Sequence, residues 1–137
     1  MIISEKDAQI LQIILRHCDE ILDSVSYFGN ESQIFLDNHI YRGAVSMHLQ
    51  SIGELAKHFS TEFLENTKEI PWKQIKAQRN IFAHGYDTKV DFLEVWKTVS
   101  QDIPKLRSDC FSILQSNQYD IIKINKLSDE SRPPRRT

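Results

Sequence analysis

Long apolar runs are missing from this chain. No stretch approaches the roughly 18 consecutive apolar residues that a membrane-spanning helix requires, so no span is expected. The N-terminus lacks a basic segment followed by an apolar one, so no signal peptide is read and a cytoplasmic location is the expectation. Glycine and proline are scarce at four each in 137 residues, which favours regular structure over loops. Positive charge is not in excess: the formal net charge is −2, so any contact with nucleic acid would need a local basic patch. The two cysteines, Cys18 and Cys110, lie in apolar periodic segments and read as buried free thiols. No Cys/His spacing suggests a metal site. His17, His39, His48 and His58 show no ligand-like clustering, so neither metal nor cofactor is expected.

What is present is helical periodicity. Residues 5–28 place Ile10, Ile13, Ile14, Cys18, Ile21, Leu22, Val25 and Phe28 at helical spacing. Ser4 and Asp7 form a plausible N-cap pair, and Gly29-Asn30 is a stop. Residues 31–39 suggest a short helical turn. A second long helix fits 40–59 along Tyr41, Val45, His48, Leu49, Ile52, Leu55, Ala56 and Phe59. Its two glycines, Gly43 and Gly53, are read as points of tight helix packing. Residues 60–70 read as a polar loop. Pro71 suits the first position of a third helix that runs to about His84, with Gly85 as its terminator. A fourth helix starts near Val90, and Pro104 should kink it near Ser100 or Gln101. Asp91 and Glu94 suit the dipole at its start. Trp72 and Trp96 sit at apolar helical spacing and are expected in the core. The expected architecture is an all-α antiparallel four-helix bundle over residues 1–116. Residues 117–137 are expected to be a C-terminal arm, which either extends the fourth helix or packs irregularly and ends in a disordered basic tail at Arg132–Thr137.

The chemistry concentrates in residues 79–86, Arg-Asn-Ile-Phe-Ala-His-Gly-Tyr. A histidine can move protons near neutral pH, and an arginine can hold a phosphate in fixed geometry. On a wheel at about 100° per residue, Lys73, Lys76, Arg79, Asn80 and His84 share an arc of roughly 140°. Ile75, Ile81 and Phe82 lie on the other side. This basic face is the best local candidate for binding phosphate. Its ordinary reading is a solvated face, and a histidine at a helix C-terminus ordinarily serves the dipole. Residue spacing alone leaves those readings open.

The octapeptide resembles the R-N-x-x-x-H-x-Y signature of HepT-type proteins in the HEPN superfamily. The segment YRGAVSMHLQSIGELAKHFS (41–60) resembles the second helix of that family. IPWKQIKAQRNIFAHGY (70–86) resembles its third helix, and DFLEVWKTVSQDIPKL (91–106) the start of its fourth. The likeness spans about residues 4–115. Two departures are small: Leu55-Ala56 stands where Ala-Ala is common, and His48 where a polar residue such as Asn is common.

The resemblance implies a HEPN-type bundle that forms a homodimer, with a ribonuclease site built from both copies of the motif. Arg79 and His84 would be catalytic and Asn80 supporting, while Lys73 and Lys76 would be RNA-binding candidates. It further implies a toxin paired with a MntA-type minimal nucleotidyltransferase antitoxin, which would transfer AMP to Tyr86. Sequence alone also allows Tyr86 to be a surface or dimer-packing residue. The competing expectation is a non-catalytic HEPN module that binds nucleotide or a nucleotidyltransferase partner.

Overall fold

The computed structural model describes residues 1–83 and 90–119, with the side chains of 79–83 left aside. Its helices are α1 (Glu5–Phe28), α2 (Ser32–Asp37), α3 (His39–Ala56), α4 (Thr61–Asn66), α5 (Trp72–Ala83), α6 (Phe92–Lys97) and α7 (Ile103–Ser116). A π-helical turn, Thr98–Asp102, joins α6 to α7 into one rod. No strand occurs among the described residues. The fold is the all-α bundle that the periodicity predicts, with α1, α3, α5 and the α6–α7 rod as its long members.

Local signals explain the first helix. The Ser4 hydroxyl accepts from the Asp7 amide, and the Asp7 carboxylate accepts from the Ser4 hydroxyl, a reciprocal N-terminal cap. At the other end Gly29 adopts φ 129°, where a Cβ would stand 2.7 Å from Ile34 Cδ1. Only glycine fits there. The inward stripe of α1 carries Leu11, Ile14, Leu15, Cys18 and Ile21, all essentially inaccessible to water. Burying each large aliphatic side chain contributes about 1.5–3 kcal/mol.

The contacts between helices show their directions. Tyr41 donates to the Gly29 carbonyl, His17 meets His48, and Ser60 donates to Asp7. Rising numbers on α3 meet falling numbers on α1, so the two are antiparallel. Arg107 pairs with Asp19 at 2.7 Å, and the Ile3 amide donates to Asn117. These contacts make α7 antiparallel to α1 as well. Phe28, Phe35, Tyr41 and Trp96 form an aromatic corner between α1, α2, α3 and α6. Trp72 and Trp96 are both buried, as their spacing predicts. The cysteines are buried free thiols.

Three expectations need correction. The segment 60–70 is not a plain polar loop: it contains α4, capped by the Ser60 hydroxyl on the Phe63 amide. Asp7 of α1 accepts from both the Ser60 amide and its hydroxyl, at 2.9 and 2.6 Å, which stabilises so short a helix from outside. Gly43 is not a tight contact, since a Cβ there would meet nothing within 4 Å; Gly53 is buried. The second long helix ends at Ala56 rather than Phe59. The disturbance expected upstream of Pro104 is present, and it takes the form of a π-turn. Pro104 lacks an N–H, and the Ile103 amide reaches back five residues to Thr98 O. Asp91 caps α6 by accepting from the Leu93 and Glu94 amides. Among the described residues no helix is long and apolar enough to cross a membrane.

Candidate functional site

The helix on which the motif begins is α5, and its start is firmly held. Trp72, its first residue, donates its indole N–H to the Thr67 hydroxyl at 2.8 Å. Thr67 is fully buried and donates in turn to the Phe63 carbonyl at 2.8 Å. The Trp72 ring packs on Phe59 and Phe63, whose own rings stack at 4.4 Å. Pro71 precedes the helix, and its carbonyl accepts from the Ile75 amide.

Along α5 the described side chains sort as the wheel predicts for Ile75, which is buried, and for Lys73, which is exposed. Lys76 is half-buried, so only part of the basic arc is fully open to solvent. Arg79 and Asn80 stand on the last turns of α5, one turn beyond Ile75 and Lys76. The side chains of Arg79 and Asn80, and all of His84 and Tyr86, lie outside the described residues, as does the expected end at His84 and Gly85.

Gln78 of α5 donates to the Thr98 hydroxyl at 3.4 Å, linking the motif helix to the π-turn. Between α5 and that rod lies a cavity of about 400 Å³. Its apolar lining includes Ile52, Ile75, Ile103 and Leu106, and its polar lining includes Gln74, Thr98, Asp102 and Lys105. The charges there are of mixed sign, so the cavity is not itself a phosphate site.

A second polar cluster was not legible in the sequence. His17 and His48 bring their Nδ1 atoms to 2.9 Å, although 31 residues separate them. Glu20 Oε2 lies 3.5 Å from His48 Nδ1. The expectation of unclustered histidines is therefore corrected. Each histidine sits on a different helix, and only the antiparallel packing of α1 and α3 joins them. Burial pulls the pKa of both below the ordinary 6.5. For His17 the neighbouring His48 adds to the lowering and Glu20 opposes it. For His48 the Glu20 carboxylate opposes the burial, while Arg16 reinforces it.

The family model described as ribonuclease HepT-like matches residues 10–113. The chain belongs to the HepT-like ribonuclease family. Its bundle is accordingly of the HEPN type. A protein named probable ribonuclease HepT from Thermococcus cleftensis is 39% identical over 90 residues, covering 64% of this chain and 81% of that one. A candidate RNase of Caldanaerobacter subterraneus is 30% identical over 108 residues, 79% of this chain and 94% of the relative. A candidate RNase of Methanocaldococcus jannaschii is 35% identical over 75 residues, 55% of this chain and 68% of the relative. No solved structure matches the chain.

Proposed function

We propose that this chain is a metal-independent endoribonuclease whose active site forms when two copies bring Arg79 and His84 together across a two-fold axis. The observation that carries this reading is the sequence Arg79-Asn80-x-x-x-His84, which begins on α5, in a chain of the HepT-like ribonuclease family. RNA can be cleaved by its own 2′-OH attacking the adjacent phosphorus. The step needs a base for the hydroxyl, an acid for the leaving 5′-oxygen and a cation for the charge on the phosphorane. One chain supplies one motif histidine, and a dimer supplies two, with two arginines. In this scheme His84 transfers the protons and Arg79 holds the non-bridging oxygens. Asn80, four residues before His84 in the sequence, orients it or a phosphate. Exposed Lys73 and half-buried Lys76 take neighbouring phosphates.

In the same reading the protein is the toxin of a type VII-like toxin–antitoxin pair in the cytoplasm. A MntA-type nucleotidyltransferase silences it by transferring AMP to Tyr86. The modification places a bulky anion two residues from His84, where it competes with RNA phosphate for Arg79.

The test is cleavage of total RNA by purified protein in EDTA, with products mapped at their ends. Cleavage is expected to persist and to leave 2′,3′-cyclic phosphates. Arg79→Ala and His84→Ala should each lose about 10²–10⁴ in rate. Tyr86→Phe should cut RNA yet escape AMP transfer on co-expression with the cognate nucleotidyltransferase, read by intact mass. Wild-type cleavage by His84→Ala would end the assignment to this motif. A wild-type protein inert on RNA would favour the binding-module reading instead.

A further inference from the structure

We propose that His17, Glu20 and His48 form a binding site for one divalent transition-metal ion of the zinc class, set between α1 and α3 and separate from the motif on α5. His17 and Glu20 are three residues apart on α1, so they share one face of the helix. His48 comes across from α3, and one ligand atom from each of the three residues lies within 4.8 Å of the others. Two ligands of a tetrahedral zinc ion, each about 2.0–2.2 Å from the metal, stand about 3.3 Å from each other. The Glu20–His48 separation of 3.5 Å already meets that spacing. The two Nδ1 atoms, at 2.9 Å, need to part by only about 0.4 Å to reach it.

The chemistry of the set points the same way. Two ring nitrogens that face each other can share one proton at most, and an ion between them would use both lone pairs. Burial favours the neutral imidazole, the form that ligates. Glu20 offsets part of the ion's charge through Oε2, while its Oε1 lies 3.7 Å from Arg16 Nε, which orients the carboxylate from outside. Two imidazoles and one carboxylate suit zinc, cobalt, nickel or copper rather than magnesium or calcium. Glu20 and His17 are half-exposed, so an ion has an entry path and a fourth position remains for water. Bound there, the ion would tie α1 to α3 near the middle of both helices.

The experiment uses the full chain, stripped with a chelator, desalted and titrated with ZnCl₂ against a competing chelator. One equivalent should bind with a raised melting temperature, and CoCl₂ should give the visible absorption of a tetrahedral site. His17→Gln and Glu20→Gln, both at half-exposed positions, should each weaken binding at least about tenfold. The double variant His17→Gln/His48→Gln should not bind. His39→Gln, His58→Gln and His84→Ala should bind like wild type. Circular dichroism of His17→Gln checks that loss of metal is not loss of fold. Absence of saturable binding would overturn the proposal. So would binding that survives the double variant, or that disappears with His84→Ala. None of these readouts depends on RNA cleavage, so the site stands or falls apart from the ribonuclease reading.

Discussion

Thr67→Val isolates the corner on which the motif helix begins. Valine keeps the shape of threonine and removes only its hydroxyl. That hydroxyl accepts from the Trp72 indole and donates to the Phe63 carbonyl, both at 2.8 Å, in a site with no exposed surface. The indole N–H would be left buried without a partner, at about 1–3 kcal/mol. The lost bond to the Phe63 carbonyl adds about 0.5–1.5 kcal/mol. The expected destabilisation is therefore about 2–4 kcal/mol. Thr67→Ser is the control, because it keeps the hydroxyl and loses one buried methyl, worth about 1 kcal/mol. Urea unfolding followed by tryptophan fluorescence measures both, and a common m-value is needed for a valid comparison. The reasoning fails if the valine protein is as stable as wild type, or if the serine protein is the weaker of the two.

Three further outcomes are expected. Asp7→Ala removes the acceptor of the Ser60 amide and of the Ser4 and Ser60 hydroxyls, and should cost about 2–4 kcal/mol in the same assay, since hydrogen bonds to a charged group contribute about 1.5–3 kcal/mol each and do not add fully. Gln118 sits at φ 61° where the Tyr119 amide reaches Leu114 O and its own amide reaches Gln115 O, so Gln118→Gly should raise stability by about 1 kcal/mol and shift the melting temperature upward. Burial pushes the Cys18 thiol from 9.0 up to about 12, with Asp19 adding to the rise and Arg107 opposing it. The unfolded chain loses that proton first, so the contribution to stability is complete below pH 9 and is lost as pH rises towards 12. Urea midpoints across that window should therefore fall more steeply for wild type than for Cys18→Ala.

Legibility in the sequence followed the length of the physical signal. The first helix was readable to its ends, because an extended 3.6-residue period runs between Ser4 and Gly29, each a strong local cap. The α4 helix was not readable: Phe63 and Leu64 are its only large apolar residues, and what stabilises it is Asp7, 53 residues away. Pro104 announced a disturbance but not its form, since a kink and a π-turn satisfy the same missing N–H. Gly43 was misread because a glycine in a helix looks alike whether it faces another helix or open space. Lys73 and Ile75 could be placed from the wheel alone. The roles proposed for Arg79, Asn80, His84 and Tyr86 rest on the likeness of the motif and its flanking blocks. The His17–His48 contact left no trace in the spacing, being a product of two helices packing.

The motif's placement depends on a relay of contacts that starts far from it in sequence. Asp7 on α1 holds Ser60, and Ser60 caps α4. The Phe63 carbonyl of α4 holds the Thr67 hydroxyl, and Thr67 holds Trp72. Trp72 is the first residue of α5, and Arg79 lies on the same helix. At about 1.5 Å of rise per residue, the seven-residue step from Trp72 to Arg79 amounts to roughly 10 Å of helix. A tilt of about 10° at the Trp72 end would therefore move the backbone at Arg79 by about 2 Å. A misplacement of about 1 Å can cost a catalyst 10²-fold. A ribonuclease site on the last turns of α5 would thus be sensitive to side chains that never approach RNA. Loss of the Thr67 hydroxyl would then lower cleavage even at temperatures where the protein remains fully folded.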